Sequence, residues 1–197
     1  MGRGFFDRLF FRNERNCPPW LCFTFDNPFR RFLHDPRRMF GEVVAEGDTA
    51  IDVGAGKGYF TIPLAGLVGP RGRVIAADLH PAMLRAIERR ARTAGVGGRI
   101  ETRLTARDAL GISEKADFIL MFWMLHEVPD QARLLREVAA CLRPSGRVFL
   151  AEPKLHVTKD AFEASVRLAA LAGLVLFARP PVYLSRAVLL GGARSVD

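Results

Sequence analysis

The stretch Ile51–Phe60, reading Ile-Asp-Val-Gly-Ala-Gly-Lys-Gly-Tyr-Phe, constrains this chain's fold more than any other. It begins as a short apolar run, Ala50, Ile51 and Val53, of the kind that forms a buried parallel strand. The run breaks at alternate glycines and resumes as Tyr59-Phe60-Thr61-Ile62, with an apolar stripe through Leu64, Leu67 and Val68. Strand, glycine turn and helix together open a βαβ unit that binds a nucleotide or a nucleoside. Glycine suits the turn because, lacking Cβ, it reaches conformations closed to other residues and lets the main chain approach a ligand.

Spacing narrows the ligand. A pyrophosphate-binding G-x-G-x-x-G would need its third glycine at Tyr59, so the pattern argues against NAD or FAD. The next strand reads Gly72-Arg73-Val74-Ile75-Ala76-Ala77-Asp78 and ends in an acid a little over 20 residues past the glycines. A carboxylate there can accept hydrogen bonds from both ribose hydroxyls. Its competing role is to cap the helix that Pro81 opens.

The set Asp52-x-Gly54-x-Gly56-x-Gly58 with Asp78 resembles motif I and the ribose acid of the class I S-adenosylmethionine (SAM)-dependent methyltransferases. The resemblance runs over about residues 25–190. Thr105-Ala106-Arg107-Asp108-Ala109-Leu110 resembles the segment after strand three, where the family places an acid near the adenine amino group. A local turn bond is the other reading of Asp108. Asp117–Trp123 and Met124–Val128 resemble motif IV and its exit loop, and Leu142–Arg147 resembles the turn before strand five, with Ser145 in place of the usual glycine. The resemblance implies SAM as cofactor, contacted by Asp52, Gly54, Gly56, Gly58, Asp78, Leu79, Asp108, Ala109 and Phe122. It also implies a general similarity to the ubiquinone/menaquinone-biosynthesis type.

The fold that the resemblance implies is α/β, a Rossmann-like three-layer sandwich with a seven-stranded mixed sheet whose last strand is antiparallel. Regular alternation of strand and helix from Thr49 onward supports a parallel sheet. Pro81–Thr93 turns Met83, Leu84, Ile87 and Ala91 inward, and Gly95 stops it. Ile100, Thr102 and Leu104 alternate on a third strand. Asp117–Trp123 is apolar throughout, as a central strand covered on both faces should be. Asp130 and Thr158 cap the following helices, Pro144-Ser145-Gly146 turns into the strand Arg147–Ala151, and two apolar runs close the chain. Pro63 is tolerated only if its helix begins near Phe60 and otherwise kinks it. Residues 1–40 are expected as an N-terminal helical extension or lid, with capped helices at Asp26-Asn27-Pro28 and Asp35-Pro36, and Met39, Val43 and Val44 buried. Residues 41–197 form the SAM-binding domain.

Candidate catalytic residues lie at the carboxyl end of strand four. His126 titrates near neutrality and is placed there to act as a general base. Glu152 and His156, after strand five, are placed to line the same cleft. The structural alternative for His126 is a bond to backbone at a helix entry, and Glu152 can equally be a structural acceptor. A thiolate or an activated carbon as acceptor would need no base.

Composition limits the partners. Net charge is +8 over 197 residues, but the arginines are scattered over helix faces rather than blocked. A nucleic-acid partner is therefore not expected, and a small-molecule substrate is. Cys17, Cys22 and Cys141 form no disulfide scaffold, which points to a reduced, cytoplasmic setting. They offer only a thin likeness to arsenite methyltransferases, and no metal site is expected. The longest apolar run, Leu168–Ala178, is about a dozen residues, too short to span a bilayer. Phe5, Phe6, Leu9 and Phe10 among Arg3, Arg8, Arg12 and Arg15 allow a weak membrane-surface contact through the N-terminus. RNA or protein methylation, and SAM binding without catalysis, are the alternative functions; the oligomeric state is not legible.

Overall fold

The computed structural model describes residues 34–107 and 109–192. The elements in chain order are α1 (Pro36–Phe40), β1 (Thr49–Val53), α2 (Thr61–Leu67), β2 (Arg73–Asp78), α3 (Pro81–Thr93) and β3 (Ile100–Leu104). They continue with β4 (Ala116–Phe122), α4 (Gln131–Cys141), β5 (Leu142–Pro153), α5 (Lys159–Leu171), β6 (Leu174–Ala178) and β7 (Ser185–Gly192). The strands form one sheet in the order β3-β2-β1-β4-β5-β7-β6. Strands β1 to β5 pair in parallel, and β7 inserts antiparallel between β5 and β6. This is the expected mixed sheet with its antiparallel last strand.

Period-two alternation divides the central strands between two apolar layers. Ile51, Ile119, Met121, Val148 and Leu150 pack with Leu135 and Val138 of α4 and Phe162 and Ala169 of α5. Ala50, Val74, Phe118, Leu120 and Phe149 pack with Phe40, Phe60, Leu64 and Ala65. A sheet covered on both faces explains why β4 needs its unbroken apolar run. At the opposite edge from the site, Asp117 accepts from the Thr49 amide at 2.9 Å and from Arg143, tying β1 and β5 to β4.

Helix boundaries follow the local chemistry. Asp35, Asp130 and Thr158 cap their helices by accepting from Arg37, Arg133 and Ala161 amides. Helix α2 starts at Thr61, so Pro63 falls in its first turn, where a missing N–H removes no helix bond. The expected turn at Pro144-Ser145-Gly146 is instead a bulge inside a longer β5, because Ala116 pairs with Leu142 while Phe118 pairs with Arg147. The edge position of β3 leaves Leu104 exposed. Phe40, not singled out by the sequence pattern, is the fully buried residue of α1, ringed by Phe60, Phe118 and Phe149. The part of the expected extension that includes Pro36–Phe40 is thus built into the core. The helices expected before residue 34 lie outside the described residues, as do Cys17 and Cys22.

Candidate active site

Strands β1, β2, β4 and β5 end together at one edge, and the turns leaving them build the site. The glycine turn after β1 is held against β2, since the Gly54 and Ala55 amides both donate to Ala77 O, at 2.9 and 3.0 Å. Gly56 has φ +55°, and a Cβ built on it would meet no atom within 4 Å. The turn therefore opens onto free space at this glycine, as a loop that must admit a ligand should. Gly54 is different: a Cβ there would lie 2.9 Å from Met124 Cβ. The exit turn of β4 is thus seated directly on the glycine loop.

Asp78 ends β2 and is nearly buried. Its Oδ2 accepts from the Gly56 amide and its Oδ1 from the His80 amide, each at 2.8 Å. Burial pushes its carboxyl up, while these hydrogen bonds and the nearby His80 pull it back. The N-cap position of α3 is His80 and makes no side-chain cap, so Asp78 does not cap that helix. Each carboxylate oxygen is fixed by one amide, which aims the pair as a unit. The segment after β3 is drawn to the same place: the Thr105 amide donates to Asp78 O at 3.1 Å, and the Ala106 amide to Ala109 O at 3.2 Å. Asp108 lies outside the described residues. Leu79 is exposed beside Asp78.

Asp52 and Phe122 sit below this edge. Asp52 is buried and takes the Thr61 hydroxyl at 2.6 Å, tying the start of α2 to β1. The Phe122 ring packs against Phe60, His34 and Trp123.

The β4 exit brings the two candidate catalytic residues together. Trp123 leaves the strand at φ +58°, a left-handed conformation that is rare for a bulky residue. Its amide donates to Ala151 O and its indole N–H to Ser185 Oγ, both at 2.8 Å. Past this reversal, Leu125–Glu127 forms one 3₁₀ turn. Glu152, only 1% exposed on β5, accepts from the Leu125 amide at 2.8 Å through Oε1. Its Oε2 meets His126 Nδ1. That contact leaves Nε2 as the outward nitrogen, 4.0 Å from Glu127 Oε1. Burial pulls the His126 pKa down, but the Glu152 hydrogen bond and charge, aided by Glu127, more than offset it and the net change is upward.

A cleft of about 350 Å³ opens beside the pair, lined by His126, Glu152, His156, Gln131, Val157 and Ser165, among others. The His156 ring stacks on His126 at 6.1 Å. The expected grouping of His126, Glu152 and His156 is therefore present. Gln131 and Ser165, joined by a 2.8 Å hydrogen bond, complete one wall. They come from two helices far apart in sequence, and no pattern in the sequence links them. Among the described residues no cluster could hold a metal ion, and no helix is long and apolar enough to cross a membrane.

Residues 50–146 match the family described as "Methyltransferase domain". The seven-stranded topology and this family match make the chain a class I SAM-dependent methyltransferase domain. Within that class the chain is similar to the ubiquinone/menaquinone biosynthesis C-methyltransferase UbiE of Pasteurella multocida, 33% identical over 110 residues, 55% of this chain and 41% of that protein. The enzyme of the same name from Klebsiella pneumoniae (strain 342) is 30% identical over 125 residues, 61% of this chain and 50% of that one. The chain thus spans half or less of the length of these curated relatives. Among solved structures, a SAM-dependent methyltransferase from Aquifex aeolicus superposes with a TM-score of 0.78 at 22% identity, covering 89% of this chain and 98% of that one. Aeropyrum pernix fibrillarin with natively bound SAM gives 0.60 at 19% identity, covering 75% and 68%. These two likenesses are of fold.

Proposed function

We propose that this protein binds SAM at the glycine turn and transfers its methyl group to a small-molecule acceptor beside His126. The observation that carries the reading is the pairing of two built features on one edge. One is a buried carboxylate fixed by two amides next to an open glycine; the other is a histidine held by a fully buried glutamate. The residues fit the cofactor. Asp78 is positioned to accept the ribose hydroxyls, the Gly56 turn leaves room for the methionyl part, and Leu79 and Ala109 flank the position expected for adenine. We also assign Asp108 to the adenine amino group and Asp52 to support of the turn, through Thr61.

Bound there, SAM supplies a methyl group already activated on a positively charged sulfur. The protein's work is then to align the acceptor, exclude water and take a proton. Glu152 holds the proton of neutral His126 on Nδ1, which leaves the Nε2 lone pair free to accept one from the acceptor. His126 is charged in the product state, and the buried Glu152 carboxylate stabilises that charge. A hydroxylated acceptor uses this base directly. A carbon acceptor, as in the names of the curated relatives, uses it through an adjacent hydroxyl whose ionisation makes the carbon nucleophilic. The Phe- and Arg-bearing N-terminus adds a weak contact with membrane surfaces, and the reduced cysteines fit a cytoplasmic protein.

The test is calorimetry followed by turnover. Wild-type protein is expected to bind SAM, and His126→Ala to keep that affinity while losing about 10²- to 10⁴-fold in turnover on an acceptor that needs deprotonation. Failure of the wild type to bind SAM refutes the reading outright.

A further inference from the structure

Glu127 has no part in the scheme above, although the chain positions it at the centre of the edge. It ends the 3₁₀ turn that follows Met124, and Met124 lies on Gly54. Its amide donates to Met124 O at 3.1 Å, and its carboxylate lies 4.0 Å from His126 Nε2. Its side chain is 37% exposed, and it feels the charges of Asp78 and His80 at the end of β2 as well as those of His126 and Glu152. Among the described residues it accepts no hydrogen bond, and its one ionic neighbour is His126 Nε2 at 4.0 Å. A carboxylate that is open at this edge and engaged by no donor of the protein is available to a positive charge on a ligand.

We propose that Glu127 supplies the countercharge for the sulfonium of SAM and makes the site prefer the charged cofactor over its neutral product. The inference rests on the cofactor reading above. Its logic is electrostatic. On that reading the sulfur lies between the ribose position at Asp78 and the methyl-transfer position at His126, and Glu127 is adjacent to His126 and within electrostatic reach of Asp78. Methyl transfer leaves the electron pair of the broken bond on sulfur, so the product S-adenosylhomocysteine carries no positive charge there. A carboxylate at this point gains attraction from the reactant and none from the product. Because that attraction weakens as charge leaves the sulfur, Glu127 does not accelerate the chemical step. It discriminates between cofactor states, favouring exchange of spent for fresh cofactor.

The experiment compares dissociation constants for SAM and S-adenosylhomocysteine by calorimetry. The proposal expects Glu127→Gln to weaken SAM about 5- to 20-fold while product affinity stays within a factor of two. Glu127→Asp, which keeps the charge, should retain part of the preference. A second measurement uses pH. Burial pushes the Glu127 carboxyl above its ordinary value of 4.5, with the nearby His126 and His80 opposing and Glu152 and Asp78 adding to the rise. The preference should therefore decline as pH falls toward this raised value, and by more in the wild type than in Glu127→Gln, where only the charging of His126 contributes. Protonation of Asp78 weakens both ligands alike and cancels in the ratio. Equal loss of SAM and product in Glu127→Gln overturns the proposal, as does no loss of either or a ratio constant with pH. Wild-type protein that binds neither ligand refutes the cofactor reading itself, whereas binding of both with no dependence on Glu127 refutes only this inference.

Discussion

Glu152→Gln isolates the electrostatic half of the His126–Glu152 pair. The side chain is 1% exposed and keeps its shape in the amide, so packing changes little. The Gln Oε1 can still accept from the Leu125 amide, which Glu152 binds at 2.8 Å. The other end becomes an NH₂ group facing His126 Nδ1. A donor there forces Nδ1 to accept, so the neutral ring must carry its proton on Nε2, the nitrogen assigned as base. Loss of turnover through this wrong tautomer should reach about 10³- to 10⁴-fold, while SAM affinity is unchanged. Two observables need no acceptor substrate. First, the upward influence of Glu152 on His126 disappears while burial remains, so the His126 pKa should fall. Nitrogen NMR of the ring should report both that fall and the tautomer change. Second, a His pKa raised by folding gives stability that is complete below 6.5, the ordinary value, and is lost as pH rises through the folded value. One charged hydrogen bond is worth about 1.5–3 kcal/mol, or about 3–12 °C in Tm for a chain of this size. The deficit of Glu152→Gln should be largest in mild acid and shrink toward alkaline pH. A His126 ring that titrates unchanged in the variant, with its proton still on Nδ1, refutes the pairing argument.

Further expectations concern the cofactor edge and the core. Asp78→Asn sets an NH₂ against one of the two amides its carboxylate now accepts, and should weaken SAM about 10- to 100-fold by calorimetry. Gly58→Ala would place a Cβ 2.9 Å from Ile87 Cγ1 at φ +80°, and should cost about 1–3 kcal/mol in denaturant unfolding. Phe40→Ala should cost about 3–5 kcal/mol in the same assay, because its ring is fully buried among three other phenylalanines.

The parts of this fold that are legible in the sequence are those written in short-range pattern. The glycine turn and Asp78 can be read because the βαβ unit fixes their spacing, and Asp130 and Thr158 because a cap needs only its own helix. A parallel sheet follows from the alternation of strand and helix, whereas the antiparallel last strand is legible only through the family resemblance. What resists reading depends on contacts between distant segments. Phe40 is isolated by residue pattern, and its burial is decided by three phenylalanines supplied by α2's entry, β4 and β5. The left-handed Trp123 gives no local sign, since its conformation is imposed by bonds to Ala151 and Ser185 from neighbouring strands. His126 and Glu152 can each be nominated from position at a strand end, but their hydrogen bond depends on the register of β4 against β5. Glu127 sits beside His126 in the sequence, yet its relation to Asp78 exists only because Met124 rests on Gly54.

The central claim is that the glycine turn and Asp78 form a SAM site, and one calorimetric series tests it most directly. Wild-type protein titrated with SAM should show one-to-one binding, NADH should show none, and Asp78→Asn should weaken SAM by at least about tenfold. Binding of NADH without SAM, or SAM binding indifferent to Asp78, would contradict the account.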